Sequence, residues 1–219
     1  MLLKGFLFDL DGTLANTLPL CIKVYQQTFK KFTGRDYTED EVTSHFGLTE
    51  AGICQQVIPD HWQEGLAYYH QAYEQQHDEC REPFPGIADA LDLLKTRGVK
   101  LGVVTGKGEH TANLTLKYLG LADYFEYVEA GKEDAVIKAT AMQTILNAWQ
   151  IDAQDAAYIG DSASDVEQSA QAGVLPLAAE WAETATIYLL ELAQPYASFK
   201  TIEDFTRWLQ QNVDQLTVA

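Results

Sequence analysis

A chain of 219 residues, 47% apolar and 21% charged, is long enough for one sizeable core or for a core domain carrying a smaller insert. Its net charge of −17 opposes phosphate backbones at long range. That argues against nucleic-acid binding and requires any phosphate site to bring its own local positive charge. Cys21, Cys54 and Cys80 are widely spaced, odd in number and form no Cys-x-x-Cys pair, so neither a disulfide framework nor a zinc site is expected and a reducing cytoplasm fits best. The first apolar run is broken by Lys4 and ended by Asp9 and Asp11; it is too short for a signal segment or a membrane span.

In chain order, the run from Leu2 to Phe8 followed by Asp and Gly reads as a buried parallel strand. Leu18, Ile22, Tyr25, Phe29 and Phe32 recur at spacings of four and three, which predicts a long amphipathic helix, and Trp62, Leu66, Tyr69 and Tyr73 repeat the pattern. Aromatic stripes at that spacing read as core rather than as a ligand box. No strong strand lies between them, so an all-helical insert is expected, with a return to the core at Pro83-Phe84-Pro85-Gly86. Beyond it, strand-like runs at Val99–Val104, Phe125–Val128, Ala156–Ile159 and Val174–Leu177 alternate with helical faces. Ile87, Ala90, Leu91 and Leu94 share one such face, and Ile145, Leu146 and Trp149 another. A final helix carries Ile202, Phe205, Leu209 and Val213. The expected fold is α/β: a doubly wound, Rossmann-like parallel sheet over residues 1–15 and 83–219, with a helical cap domain over 16–82.

Three strands end in polar groups. Asp9-Leu10-Asp11-Gly12-Thr13 follows the first, and carboxylates two residues apart point to one side of an extended chain. Alone, this could be an ordinary strand-ending turn. Thr105-Gly106 follows the second, with a hydroxyl and backbone N–H groups suited to phosphate oxygens and a helix start adding its positive end. Gly160-Asp161-Ser162-Ala163-Ser164-Asp165 follows a later strand. Asp161 and Asp165 would lie one helical turn apart if a helix begins there, and Asp161 alone could be a helix N-cap. The carboxyl ends of strands are where α/β sheets place their ligand sites.

Together these residues resemble the haloacid dehalogenase-like hydrolase superfamily, in its helical-cap, phosphoglycolate phosphatase-like branch. Asp9 to Thr13 match the first motif in full, Thr105 the second and Gly160-Asp161-Ser162-x-x-Asp165 the fourth. The third motif is a lone lysine. Lys138 fits best, although Ala139 stands where many relatives have proline and Lys132 competes. A second departure is Ala15-Asn16-Thr17, where many relatives carry an acidic residue and Ser.

The resemblance implies a magnesium-dependent phosphatase acting on a small phosphorylated metabolite through an aspartyl-phosphate intermediate. Asp9 would be the nucleophile, Asp11 the general acid and base, and Lys138 the neutralising cation. Thr105 and Gly106 would hold phosphate oxygens. Lys107 either reaches the substrate or is an exposed lysine at a helix start. Mg²⁺ would be held by Asp9, Asp161 and the Asp11 backbone carbonyl, with Asp165 behind them. The loop His45-Phe46-Gly47-Leu48 either faces the active site or is a plain turn. A sugar-phosphate mutase of the β-phosphoglucomutase type and a nucleotidase are the alternative activities; neither nucleic acid nor membrane is an expected partner.

Overall fold

The computed structural model describes residues 2–131 and 138–214. Strand β1 (Gly5–Phe8) opens the fold. Four helices of an insert follow: α1 (Leu18–Thr33), α2 (Glu39–Thr43), α3 (Glu50–Val57) and α4 (Trp62–Gln76). The chain then alternates through α5 (Ile87–Thr96), β2 (Lys100–Val104), α6 (Glu109–Tyr118), β3 (Tyr127–Glu129), α7 (Lys138–Trp149), β4 (Ala156–Gly160) and α8 (Ala163–Ala172). It ends with β5 (Leu175–Ala179), α9 (Ile187–Leu192), β6 (Ala197–Phe199) and α10 (Ile202–Asn212).

The strands form one parallel sheet in the order β3-β2-β1-β4-β5-β6. β1 lies between β2 and β4, where the order reverses, and this is where such sheets open a crevice at their carboxyl ends. Period-two alternation sorts the side chains of β1. Phe6 and Phe8 face a core shared with Ile87, Leu91, Leu94 and Phe205, whereas Leu7 faces Met142, Ile145 and Trp149. Helices α5 and α10 therefore cover one face and α7 the other. β6 and α9 were not anticipated: β6 is a three-residue edge strand around an exposed Ser198 and carries no apolar run.

The helical insert has its own aromatic packing. Tyr25 meets Tyr69 with ring centroids 4.3 Å apart and Phe29 at 5.5 Å. Its sequence stops are clear: Thr38 and Glu41 form a reciprocal capping box on α2, and Gly34 ends α1 in the left-handed conformation. The insert rests on the core through Tyr73, whose hydroxyl lies 3.0 Å from that of Thr115. Among the described residues no helix is long and apolar enough to cross a membrane.

Candidate active site

Asp9 stands directly after β1, and its backbone N–H still donates to the Ile159 carbonyl of β4 at 2.9 Å. The strand pairing thus fixes where its carboxylate starts. Oδ2 of Asp9 lies 2.9 Å from Lys138 Nζ, while Oδ1 is buried with no hydrogen-bond partner among the described residues. Gly12 makes room beside it. Its φ is 77°, and a Cβ there would stand 2.2 Å from Asp161 Oδ2, so both conformation and space require glycine.

Asp161 leaves the end of β4, and carboxylate oxygens of Asp9, Asp161 and Asp165 lie within 4.8 Å of one another. The helix-cap reading of Asp161 does not hold. Ser162 is the N-cap of α8, its side chain accepting from the Asp165 N–H while Asp165 reaches back to the Ser162 N–H. Asp161 therefore precedes the helix and is free to face Asp9.

Asp165 is fully engaged. Its Oδ1 accepts from Lys138 Nζ at 2.6 Å and from the Tyr158 hydroxyl at 2.9 Å; its Oδ2 accepts from Ser162 N and Oγ at 3.1 and 2.6 Å. Tyr158 also lies 3.1 Å from Lys138 Nζ. This tyrosine was hidden from sequence reasoning inside an apolar strand.

Burial pushes the Asp9 carboxyl up to about 7, against the pull of Lys138. Burial, then Asp9 and Asp165, drives Asp161 well above the usual carboxylate range. Burial acts the same way on Asp165, but Lys138 and the hydrogen bonds outweigh it and hold this carboxyl low. Lys138 is raised despite its burial, because Asp165 and Asp9 favour its charge.

The residues fit a hard divalent cation. Asp9 Oδ1 is an orphaned buried acceptor and Asp161 a carboxylate held at a cost beside it; both want a positive charge and offer oxygen donors. Asp165 has no lone pair to spare, so it orients its neighbours from behind.

Asp11 faces elsewhere. Its carboxylate accepts from Lys107 Nζ at 3.1 and 3.3 Å and from the Thr17 hydroxyl. It is not part of the acidic cluster, which leaves its backbone carbonyl as the group it could offer a cation. Thr17, in the segment that departs from the family pattern, thus orients Asp11. Lys107 is not an exposed lysine: it is 7% exposed, with Nζ 3.2 Å from Cys21 Sγ and 4.8 Å from the Tyr73 ring centre.

Thr105 is buried after β2, its Oγ1 accepting from the Lys107 N–H at 3.2 Å. The positive end of α6 is not left for phosphate. The Gly108 N–H donates to Glu50 Oε2 at 2.7 Å, and the Thr111 hydroxyl donates to Glu50 Oε1. Glu50 comes from α3, across the cleft, and no motif singled it out. Lys132 lies outside the described residues.

A cavity of about 370 Å³ joins Asp9, Asp11, Thr105, Gly106, Lys107 and Lys138 with Asp161 and Asp165. Phe46, Gly47 and Leu48 line it too, so the loop between α2 and α3 does face the site. Its His45 points instead to Gln56, at 3.1 Å. Tyr25 and Tyr69, read as core, are both core and cavity wall.

A parallel α/β sheet with a helical insert and acidic groups at its switch point defines a phosphate-processing hydrolase. The family model for haloacid dehalogenase-like hydrolases matches residues 6–179, and the chain belongs to that family, as a phosphatase. A pyrophosphatase PpaX from Listeria monocytogenes is 30% identical, over 80% of this chain and 82% of its own. A second, from Halalkalibacterium halodurans, is 28% identical over 80% and 82%. A predicted phosphoglycolate phosphatase from Haemophilus somnus shares the fold, with a TM-score of 0.78 at 20% identity over 94% of this chain and 98% of its own.

Proposed function

We propose that this chain hydrolyses a small phosphomonoester through a phosphorylated Asp9, with Mg²⁺ as cofactor. The observation that carries the reading is the state of the Asp9 carboxylate: one oxygen is held by Lys138 and the other is buried and unpartnered beside Asp161, at the floor of a cavity. In the first step Asp9 attacks phosphorus and the bond to the leaving oxygen breaks. Asp11, held by Lys107 and Thr17, gives that oxygen its proton. In the second step Asp11 takes a proton from water, the water oxygen bonds to phosphorus and Asp9 is released.

Lys138 offsets the like charges of Asp9 and the phosphoryl group, and Thr105 with the Gly106 N–H holds phosphoryl oxygens. Asp9, Asp161 and the Asp11 carbonyl, with Asp165 behind, would hold Mg²⁺, which would supply charge neutralisation at the transferring group. Residues 16–82 act as a cap over a core of residues 1–15 and 83–219, excluding water during transfer. Pyrophosphate, named for the relatives, and phosphoglycolate belong in the substrate panel.

The test is Asp9→Asn, an amide that cannot form the acyl phosphate. Turnover of an aryl phosphate should vanish while the fold persists by circular dichroism. In the wild type, mass spectrometry of quenched enzyme should find a phosphoryl group on the Asp9 peptide, and activity should require Mg²⁺. Near-normal turnover by Asp9→Asn would refute the covalent route.

A further inference from the structure

Above its carboxylate floor the cavity changes character. Its roof is built from Leu18 and Tyr25 of α1, Phe46 and Leu48 of the following loop, Ile53 of α3 and Tyr69 of α4. Among the described lining residues, the helical cap brings one charged side chain, Glu50, and no cation. Glu50 is already spent on the Gly108 N–H and the Thr111 hydroxyl. It thereby fills the end of α6, the helix terminus nearest the phosphate motif and otherwise a ready anion site.

The lysines among the described lining residues are committed as well. Lys138 serves Asp9 and Asp165, and Lys107 serves Asp11. Five carboxylates (Asp9, Asp11, Glu50, Asp161 and Asp165) line the cavity against these two lysines. A cation at the acidic cluster would serve the transferring phosphoryl group, on the floor. A second negative charge on the leaving side would be stripped of water against largely apolar walls and placed near Glu50, with no uncommitted cation among the described residues to receive it.

We infer that the cap selects phosphomonoesters whose leaving group is an uncharged, largely apolar alcohol or phenol, and rejects leaving groups that carry a carboxylate or phosphate. The selection rests on the phosphomonoesterase reading above and names its substrate class. The cavity, about 370 Å³, is near the lower end of small-molecule sites, which keeps the ester small.

The experiment compares isobutyl phosphate with phosphoglycolate and pyrophosphate on the wild-type enzyme in saturating Mg²⁺. The first two are both alkyl esters of nearly the same shape, differing by an isopropyl group against a carboxylate. The expected kcat/KM is at least about tenfold higher for isobutyl phosphate than for either anionic substrate. Leu48→Arg, at a half-buried roof position, should narrow that ratio by raising turnover of phosphoglycolate. Equal or better use of phosphoglycolate or pyrophosphate by the wild type would overturn the selection. If the Asp9 peptide is phosphorylated in that case, the mechanism survives and the selection alone is lost. If none of the three substrates phosphorylates Asp9, both fall.

Discussion

On the floor of the cavity the charged groups are paired, apart from Asp9 Oδ1 and Asp161, which are left for a cation, whereas the roof is largely apolar and carries no cation among its described residues. The floor comes from strand ends: Asp9 after β1, Thr105 after β2, Asp161 after β4, with Lys138 tied to Asp9, Asp165 and Tyr158. Its geometry is set by ladder hydrogen bonds that cannot slip without breaking the sheet. The roof comes from α1, α3, α4 and a loop, held by aromatic packing such as Tyr25 on Tyr69. Substitutions there change the shape of the cavity without touching the sheet. Chemistry and selection are thus built on separate elements, and each should yield to its own class of mutation.

After Asp9 itself, the largest effect expected within this division belongs to Asp11, a floor residue that touches both regions through Thr17 and Lys107. With an aryl phosphate the first step needs little protonation, so Asp11→Asn should still allow Asp9 to be phosphorylated. Hydrolysis of the intermediate needs a base and should slow by about 10²–10⁴-fold. Phosphoenzyme should accumulate on the Asp9 peptide. Wild-type turnover, or phosphate on another residue, would remove Asp11 from this role.

Glu50 tests where the two regions meet. Glu50→Gln keeps the shape of the contact with Gly108 and Thr111 but loses the charge at the end of α6. That interaction is worth about 1 kcal/mol at such a terminus, so kcat/KM for isobutyl phosphate should fall roughly fivefold as closure weakens. The ratio of isobutyl phosphate to phosphoglycolate should fall too, because the cap's one charged lining side chain no longer repels an anionic leaving group. An unchanged ratio would mean that Glu50 holds the cap without shaping selection.

The same division governs what could be read from the sequence. Continuous apolar runs ended by Asp, Thr or Gly marked β1, β2 and β4, because a strand buried on both faces has no other pattern. The site at their ends followed from the spacing of Asp9, Asp11, Asp161 and Asp165. Assigning Lys138 needed the family resemblance, since one lysine carries no pattern. Tyr158, which holds Lys138 and Asp165, was unreadable, because a tyrosine in an apolar strand looks like core; Ser162 was matched within the fourth motif, but its role as the cap of α8 became visible only with the start of that helix at Ala163. Glu50 was lost in a chain with 32 acidic residues. On the roof, helical periodicity located Tyr25 and Tyr69 on buried faces but could not distinguish a core from a cavity wall.

The smallest expected effect concerns stability, and it separates the floor from the roof without an activity assay. In metal-free protein, burial raises the folded-state carboxyl of Asp9 from an ordinary 3.8 to about 7. Between those values the folded chain holds a proton that the unfolded chain has lost. The associated stability is complete below the lower value and disappears as pH rises through the upper one. Asp161 acts in the same direction. Asp165, held low by Lys138, acts oppositely, but its contribution is lost only as pH falls below the ordinary carboxylate range. Mg²⁺ competes with protons for Asp9 and Asp161, so its binding should raise Tm by more at about pH 8 than at about pH 5.5. In a chain of this size each kcal/mol is worth about 2–4 °C, so thermal melts with and without Mg²⁺ at the two pH values can resolve the difference. Asp9→Asn should flatten the metal-free pH dependence and reduce the Mg²⁺ shift, while Leu48→Arg should leave both as in the wild type. A Mg²⁺ shift that is equal at the two pH values, or metal-free stability that rises with pH through this window, would show that the floor carboxylates do not carry the cost their burial implies.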